Sequence, residues 1–173
     1  MATSETSKYR HITEPYCTGV GVDIGSSGDP VVPHAIQIDL DTPYCPLIGP
    51  GPIHIWGDGS KLRWFAHESL DFVYSSHLIE DFTAIEQQLV LREWSFPLKP
   101  GGYLIILAPE FGRWWKAVAA GQPPNDAHKH ELLEGELTQR IEINCPGVFE
   151  VIMDKCPDPN DYGLVFIARK KKP

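Results

Sequence analysis

The sequence predicts an α/β fold with a doubly wound, mostly parallel sheet, on three observations. A β-branched run at 20–24 breaks abruptly into Gly25-Ser26-Ser27-Gly28, as a buried strand does when it empties into a tight loop. Short apolar or alternating runs recur at 34–40, 53–56, 69–76 and 103–108, most closing on a turn or an acid. Helical patterning follows the fourth of these five runs and the last. At 173 residues, 42% hydrophobic and 22% charged, the chain suits one domain, 1–173, able to bury a core without staples.

Residues 1–16 form an N-terminal arm that opens polar and is expected to be loose until Tyr9, His11 and Tyr16 introduce bulk. In the loop after the first strand, Gly25 and Gly28 permit positive φ and let a ligand lie against bare backbone. Ser26 and Ser27 add hydroxyls and N–H groups. Such a loop cradles nucleotide-like groups beyond the carboxyl ends of strands in an open sheet. The alternating strand 34–40 closes on Asp39, whose carboxylate can accept both hydroxyls of a ribose. Residues 41–51, rich in Pro and Gly, form a loop. The strand 53–56 leads to a second exposed acid, Asp58, followed by Gly59. One short helix is expected over 60–67, with Trp64 and Phe65 in the core or bordering a bound ring.

The strand 69–76 ends in the turn Ser75-Ser76-His77, and the chain turns helical from Leu78. Thr83-x-x-Glu86 forms a capping box, Ile85, Leu89, Val90 and Trp94 trace an apolar face, and Pro97 ends the helix. Lys99-Pro100-Gly101-Gly102 turns into the buried strand 103–108. Next comes Phe111-Gly112-Arg113-Trp114-Trp115, where paired indoles beside Arg113 either take a flat ring and a carboxylate or cap a helix running to Ala120. A break at 121–125 precedes a helix over 134–143, with Leu133, Leu137 and Ile141 on one face. His128 and His130, at i and i+2, share a direction if extended. No third ligand at a diagnostic spacing joins them, so no metal is assigned. Two strands, 148–155 and 162–169, close the chain.

Taken together, the ordered motifs over residues 16–110 resemble the class I S-adenosylmethionine-dependent methyltransferases. The resemblance implies a Rossmann-like sheet finished by an antiparallel C-terminal pair, S-adenosyl-L-methionine as cofactor, and methyl transfer to a small-molecule substrate. Asp23, Gly25, Ser26 and Ser27 match the first motif, with Ser27 at its middle glycine or that glycine displaced to Gly28. Asp39 matches the ribose acid, Leu40 the apolar residue beside adenine, and Asp58 with Gly59 the adenine-amino contact. Ser75, Ser76 and His77 match the turn facing the methyl group. His77 is therefore the first candidate base, with Glu110, His130 and His128 next. Arg113, Trp114, Trp115 and His128 are candidate substrate contacts. Tyr9 joins them because the segment before the first strand folds over the donor in relatives. The chain departs from the pattern between Gly25 and His34, where two prolines leave no room for the usual crossover helix. A nicotinamide-binding reading fits worse, since the three-glycine spacing is missing and Asp39 comes too soon.

The net charge of −8 disfavours nucleic acid as a partner, and the one basic run, Arg169 to Lys172, reads as a solvated tail. Cys17, Cys45, Cys145 and Cys156 stand far apart. With no apolar targeting segment or long apolar span, a cytoplasmic protein with reduced thiols and no membrane partner is expected. A homo-oligomer or a partner protein stays open. So do a non-methylating reaction of the same donor and a donor-binding subunit without activity alone.

Overall fold

The computed structural model describes residues 4–41 and 49–172. The described residues contain a seven-stranded sheet: β1 (Gly21–Ile24), β2 (Ile36–Asp39), β3 (Ile55–Trp56), β4 (Leu70–Ser76), β5 (Leu98–Pro109), β6 (Phe149–Lys155) and β7 (Gly163–Lys170). Its spatial order is β3-β2-β1-β4-β5-β7-β6. Strands β1 to β5 run parallel, and β7 lies antiparallel between β5 and β6. This is the predicted sheet, with its antiparallel close. Sequence order reverses between β1 and β4, which opens a crevice past their carboxyl ends.

Alternation along the strands divides the core between two faces. Val22, Ile24, Ile38, Val73, Leu104 and Ile106 meet Val90, Leu91 and Trp94 of α2 (Ala84–Ser95) and Leu137 and Ile141 of α4 (Glu136–Asn144). Phe72, Tyr74, Ile105, Leu107, Val165 and Ile167 form the other face. No helix follows β1, and residues 25–35 run in turns. Val31, Val32 and Ala35 from that connection cover the second face together with Tyr9 of α1 (Glu5–Thr13) and Cys17.

The N-terminal arm is thus a built part of the fold, contrary to the loose segment expected. Ser4 caps α1 by accepting from Ser7 N–H at 3.0 Å, and Glu5 and Arg10 suit the two ends of the helix dipole. Tyr9 is 3% exposed, so burial of a large ring anchors a short helix that could not persist alone.

Other expectations shift in detail. Residues 60–67 make isolated turns, Lys61 N–H to Asp58 O and Phe65 N–H to Leu62 O, and no helix. Trp64 is half exposed, stacked on Phe65. After β4 a single 3₁₀ turn, Ile79–Asp81, precedes α2, which starts on the predicted capping box at Thr83 and Glu86. Ile85 and Leu89 face solvent, while Gln87 and Leu91 join Val90 and Trp94 inside. The amide of Gln87 donates to Ile79 O and His130 O, which is why a polar residue holds that buried position. Residues 99–102 are absorbed into the start of β5, with a register shift between Leu70 and Phe72. Helix α3 (Phe111–Ala119) forms as expected, and Leu133 stands outside the α4 face, half exposed. The predicted loop 41–51 and Cys45 lie largely outside the described residues. Among the described residues no helix is long and apolar enough to cross a membrane.

Candidate functional site

A cleft of about 710 Å³ opens at the β1/β4 switch point. That lies within the 300–1,000 Å³ range usual for small-molecule sites. Gly25, Ser27, Asp39, Leu40, Asp58, Gly59 and His77 line it, so seven of the residues singled out from four strand ends meet in one place.

Each is held by local chemistry. Gly25 takes φ +74°, Ser27 +48° and Gly28 +79°, a run of left-handed backbone that points Ser27 N–H at Asp39. The Asp39 carboxylate accepts from Ser27 N–H through Oδ2 and from Leu40 N–H through Oδ1, both at 2.8 Å. Each oxygen keeps a second lone pair, and the group lines the cleft at 6% exposure. Asp58 is more open; it accepts from Ser60 N–H at 3.0 Å and pairs with Lys61 at 3.2 Å. Burial acts to raise its pKa, but the Ser60 and Lys61 contacts win and lower it. A Cβ on Gly59 would stand 2.2 Å from Ile24 Cγ2, so that position accepts no side chain without displacing the cleft floor.

His77 follows β4 with φ +51°, in the left-handed region that costs a bulky residue strain. Its N–H donates to Leu107 O at 2.8 Å, and its Nδ1 stands 3.3 Å from Oε1 of Glu80, a carboxylate with no exposed surface. Its Nε2 is 3.7 Å from Oε2 of Glu5 on α1. Burial lowers the imidazole pKa, but Glu80 and Glu5 outweigh it, and the net shift is upward.

The remaining predicted residues lie elsewhere. Asp23 is fully buried behind the loop, where Oδ2 accepts from Val31 N–H at 2.7 Å. Alternation turns it toward the face opposite Val22 and Ile24, and burial pushes its carboxyl up to about 8 against the lowering hydrogen bond from Val31. Ser26 donates to the Gln37 side chain at 2.9 Å, and Ser75 donates to Ile24 O at 3.1 Å, tying β4 to β1. Ser76 is buried at the end of β4. Glu110 caps α3 by accepting from Arg113 N–H at 2.8 Å.

The substrate candidates are also displaced from the cleft lining. Arg113 donates to Asp158 O at 3.0 Å, Trp114 packs 5.0 Å from Tyr162 and 5.1 Å from His128, and Trp115 is half exposed. Tyr9 packs on the sheet with its hydroxyl against Gly163. His128 and His130 turn apart because their segment is not an extended strand. His130 joins Glu136 and Arg140, while His128 Nε2 comes within 3.7 Å of Glu80. Among the described residues no group of three His, Cys, Asp or Glu is placed to hold a metal ion.

Two parts of the site were not singled out in the sequence. Glu80 lies at i+3 from His77, a spacing that brings side chains together on a helical turn. Asn125, Asp126, Ala127 and Lys129 close one side of the cleft from a segment distant in sequence. A carboxylate at a strand tip with free lone pairs, a tight glycine floor and the flanking apolar Ile24, Ile38 and Leu40 suit an adenosine-bearing ligand of S-adenosylmethionine size.

A family model described as a methyltransferase domain matches residues 12–106. The chain belongs to this family, the class I S-adenosylmethionine-dependent methyltransferases. Solved structures share its fold. A SAM-dependent methyltransferase from Archaeoglobus fulgidus superposes with a TM-score of 0.71 at 17% identity, over 95% of this chain and 92% of that one. A SAM-dependent methyltransferase from Thermotoga maritima, described as a possible histamine N-methyltransferase, gives 0.69 at 19%, over 96% and 89%. The 1,6-didemethyltoxoflavin N1-methyltransferase of Burkholderia thailandensis, solved with that substrate and S-adenosylhomocysteine, gives 0.66 at 16%, over 98% and 80%. No curated protein matches the sequence.

Proposed function

We propose that the cleft at the β1/β4 switch point binds S-adenosylmethionine and that this protein methylates a small molecule, in the reducing cytoplasm that its dispersed cysteines suit. The Asp39 carboxylate carries this reading. It is already fixed by two backbone N–H groups and has lone pairs left for a diol, so it binds a ribose without reorganising. Gly25 and Ser27 leave room for the chain linking ribose to sulfur, Leu40, Ile24 and Ile38 flank the adenine, and Asp58 accepts from its amino group.

S-adenosylmethionine supplies a methyl group on positive sulfur, and the electron pair of the broken bond stays on that sulfur. The protein's own work is to align the acceptor, which can supply about 7–11 kcal/mol in favourable cases. His77 receives the acceptor's proton when the acceptor is a hydroxyl or an ammonium. The net charge of −8 argues against acceptors carried on a phosphate backbone.

Calorimetry with S-adenosylhomocysteine, followed by mass spectrometry of products from candidate amines, phenols and thiols, tests the reading. Binding with S-adenosylhomocysteine as the spent product supports it. Methylthioadenosine as product would assign a different reaction, and no heat at all would sink the donor site. His77→Asn is expected to cut turnover about 100-fold while donor affinity stays within threefold.

A further inference from the structure

The basic run Arg169 to Lys172, expected as a solvated tail, is anchored to the sheet. Strand β7 continues through Lys170, Lys170 Nζ donates to Leu98 O at 2.7 Å, and Lys171 N–H donates to Val148 O at 2.8 Å. This anchoring brings Arg169 and Lys172 to a cavity of about 320 Å³ at the amino ends of β4 and β5, on the sheet edge opposite the donor cleft. Gly19, Asp71, Gly101, Gly102 and Tyr103 line it with them. We propose that this cavity binds a phosphate group, as the free ion or on a small monoester, through Arg169 and Lys172. The site is independent of what the donor cleft binds.

Charge selects an anion. Asp71 is the one carboxylate in the lining among the described residues, and it is already matched. Both of its oxygens accept from Lys99 Nζ at 2.9 Å, and Oδ2 also accepts from Val20 N–H at 2.9 Å. Burial acts to raise its pKa, but the Lys99 and Val20 contacts win and lower it. Arg169 and Lys172, by contrast, have no hydrogen bond or ion pair among the described residues, and Glu150, opposite Arg169 on β6, stands outside the lining. The cavity therefore presents two unmatched positive charges in a chain of net charge −8. A phosphate monoester brings about −1.5 to −2 near neutral pH, which matches them.

Shape selects a compact anion. The two cations meet over Gly101, where a Cβ would stand 3.3 Å from Lys172 Cε and 3.9 Å from Arg169 Nη2. Beside it the floor is bare backbone, because a Cβ on Gly19 would fall 2.5 Å from Asp71 Oδ2 and one on Gly102 would fall 2.8 Å from Asp71 O. Phosphate oxygens can approach such a floor closely. The guanidinium fork suits two of them and the ammonium a third. The volume, at the low end of the usual range of about 300–1,000 Å³, holds one phosphate with a small organic group. The acidic balance of the chain opposes a polyanion such as a nucleic-acid backbone.

The test titrates the ¹⁵N-labelled full chain with inorganic phosphate, with chloride withdrawn to hold ionic strength constant. Saturable shifts are expected at the amides of Gly19, Gly101 and Gly102 and at Arg169 Nε–H. Arg169→Ala should raise the phosphate Kd about tenfold, and Lys172→Ala, at an exposed position beyond the last strand, about threefold. Shifts that stay linear throughout would overturn the site. So would shifts centred on Gly25, Ser27 and Asp39, which would assign the anion to the donor cleft, or a Kd unchanged in a folded Lys172→Ala. Ribose 5-phosphate separates the two sources of the group: binding at least as tight as that of the free ion, and weakened by the same substitutions, supports a monoester site, whereas saturation by inorganic phosphate alone supports a site for the free ion.

Discussion

Replacing Asp39 by alanine is the sharpest probe of the donor site. The carboxylate is 6% exposed and accepts two backbone hydrogen bonds at 2.8 Å, so it is held in place before any ligand arrives. Two ribose hydroxyls donating to it would form charge-assisted bonds worth about 1.5–3 kcal/mol each at the upper end of the net scale. Partial replacement by water brings the expected loss to about 2–4 kcal/mol, or roughly 30- to 1,000-fold in Kd. Part of that loss could arise from Ser27 N–H, which would lose its acceptor and loosen the loop. A cycle with 2′-deoxy-S-adenosylhomocysteine separates the two. The deoxy ligand should bind the wild type at least tenfold more weakly than the parent compound, and Asp39→Ala should discriminate between them less than threefold. Calorimetry that finds equal discrimination by both proteins would refute the ribose contact, and a Kd within threefold of wild type would refute the site.

Asp23 should act on stability instead of binding. Its folded pKa of about 8 lies above the unfolded value near 3.8, so the native state holds the extra proton and stability falls as pH rises between the two, at up to about 1.4 kcal/mol per unit. Asp23→Asn should flatten melting temperature against pH over 4–8 and leave donor Kd within threefold; an unchanged slope would show the carboxyl ionised in the fold. His77 has the same sign in a different window: its raised pKa gives stability present below about pH 6.5 and lost as pH climbs through the folded value. Glu80→Gln should remove that acid-side gain in the same melts. Gly59→Ala should cost about 1–3 kcal/mol and weaken donor binding, because its Cβ falls 2.2 Å from Ile24 Cγ2. Thr83→Ala, which opens the capping box of α2, should cost about 1 kcal/mol, or roughly 2–4 °C in a chain of this size, without changing Kd.

Strand ends were the legible part of this chain. Asp39, Asp58, Gly25 and His77 each follow an apolar run directly, and a parallel sheet must deliver such positions to one edge. Asp23 sits inside the strand, where alternation sets its side chain on the face opposite its neighbours Val22 and Ile24, away from the cleft lining; the period of two was there to be read. Ile85 and Leu89 suggested a core face for α2, but the phase of that helix is fixed by tertiary partners of Gln87 that no local pattern announces. Arg113 and Trp114 were placed near the right edge of the sheet. Their contacts, however, are with Tyr162, His128 and Asp158, which lie 14–48 residues away and reach them only through the β6–β7 connection and the 121–135 segment.

The shortened connection after β1 leaves α1 with two duties. Tyr9 seals one face of the sheet, while Glu5, one turn earlier, stands 3.7 Å from His77 and accepts from the Tyr162 hydroxyl at 2.9 Å. Arg10 and Ser4 bind Asp29, so the same helix is moored to the glycine loop. A cut or a bulky fusion ahead of Thr13 would therefore unseat a wall and a gatepost at once, and catalytic failure in such a variant would arrive together with a wetted interior.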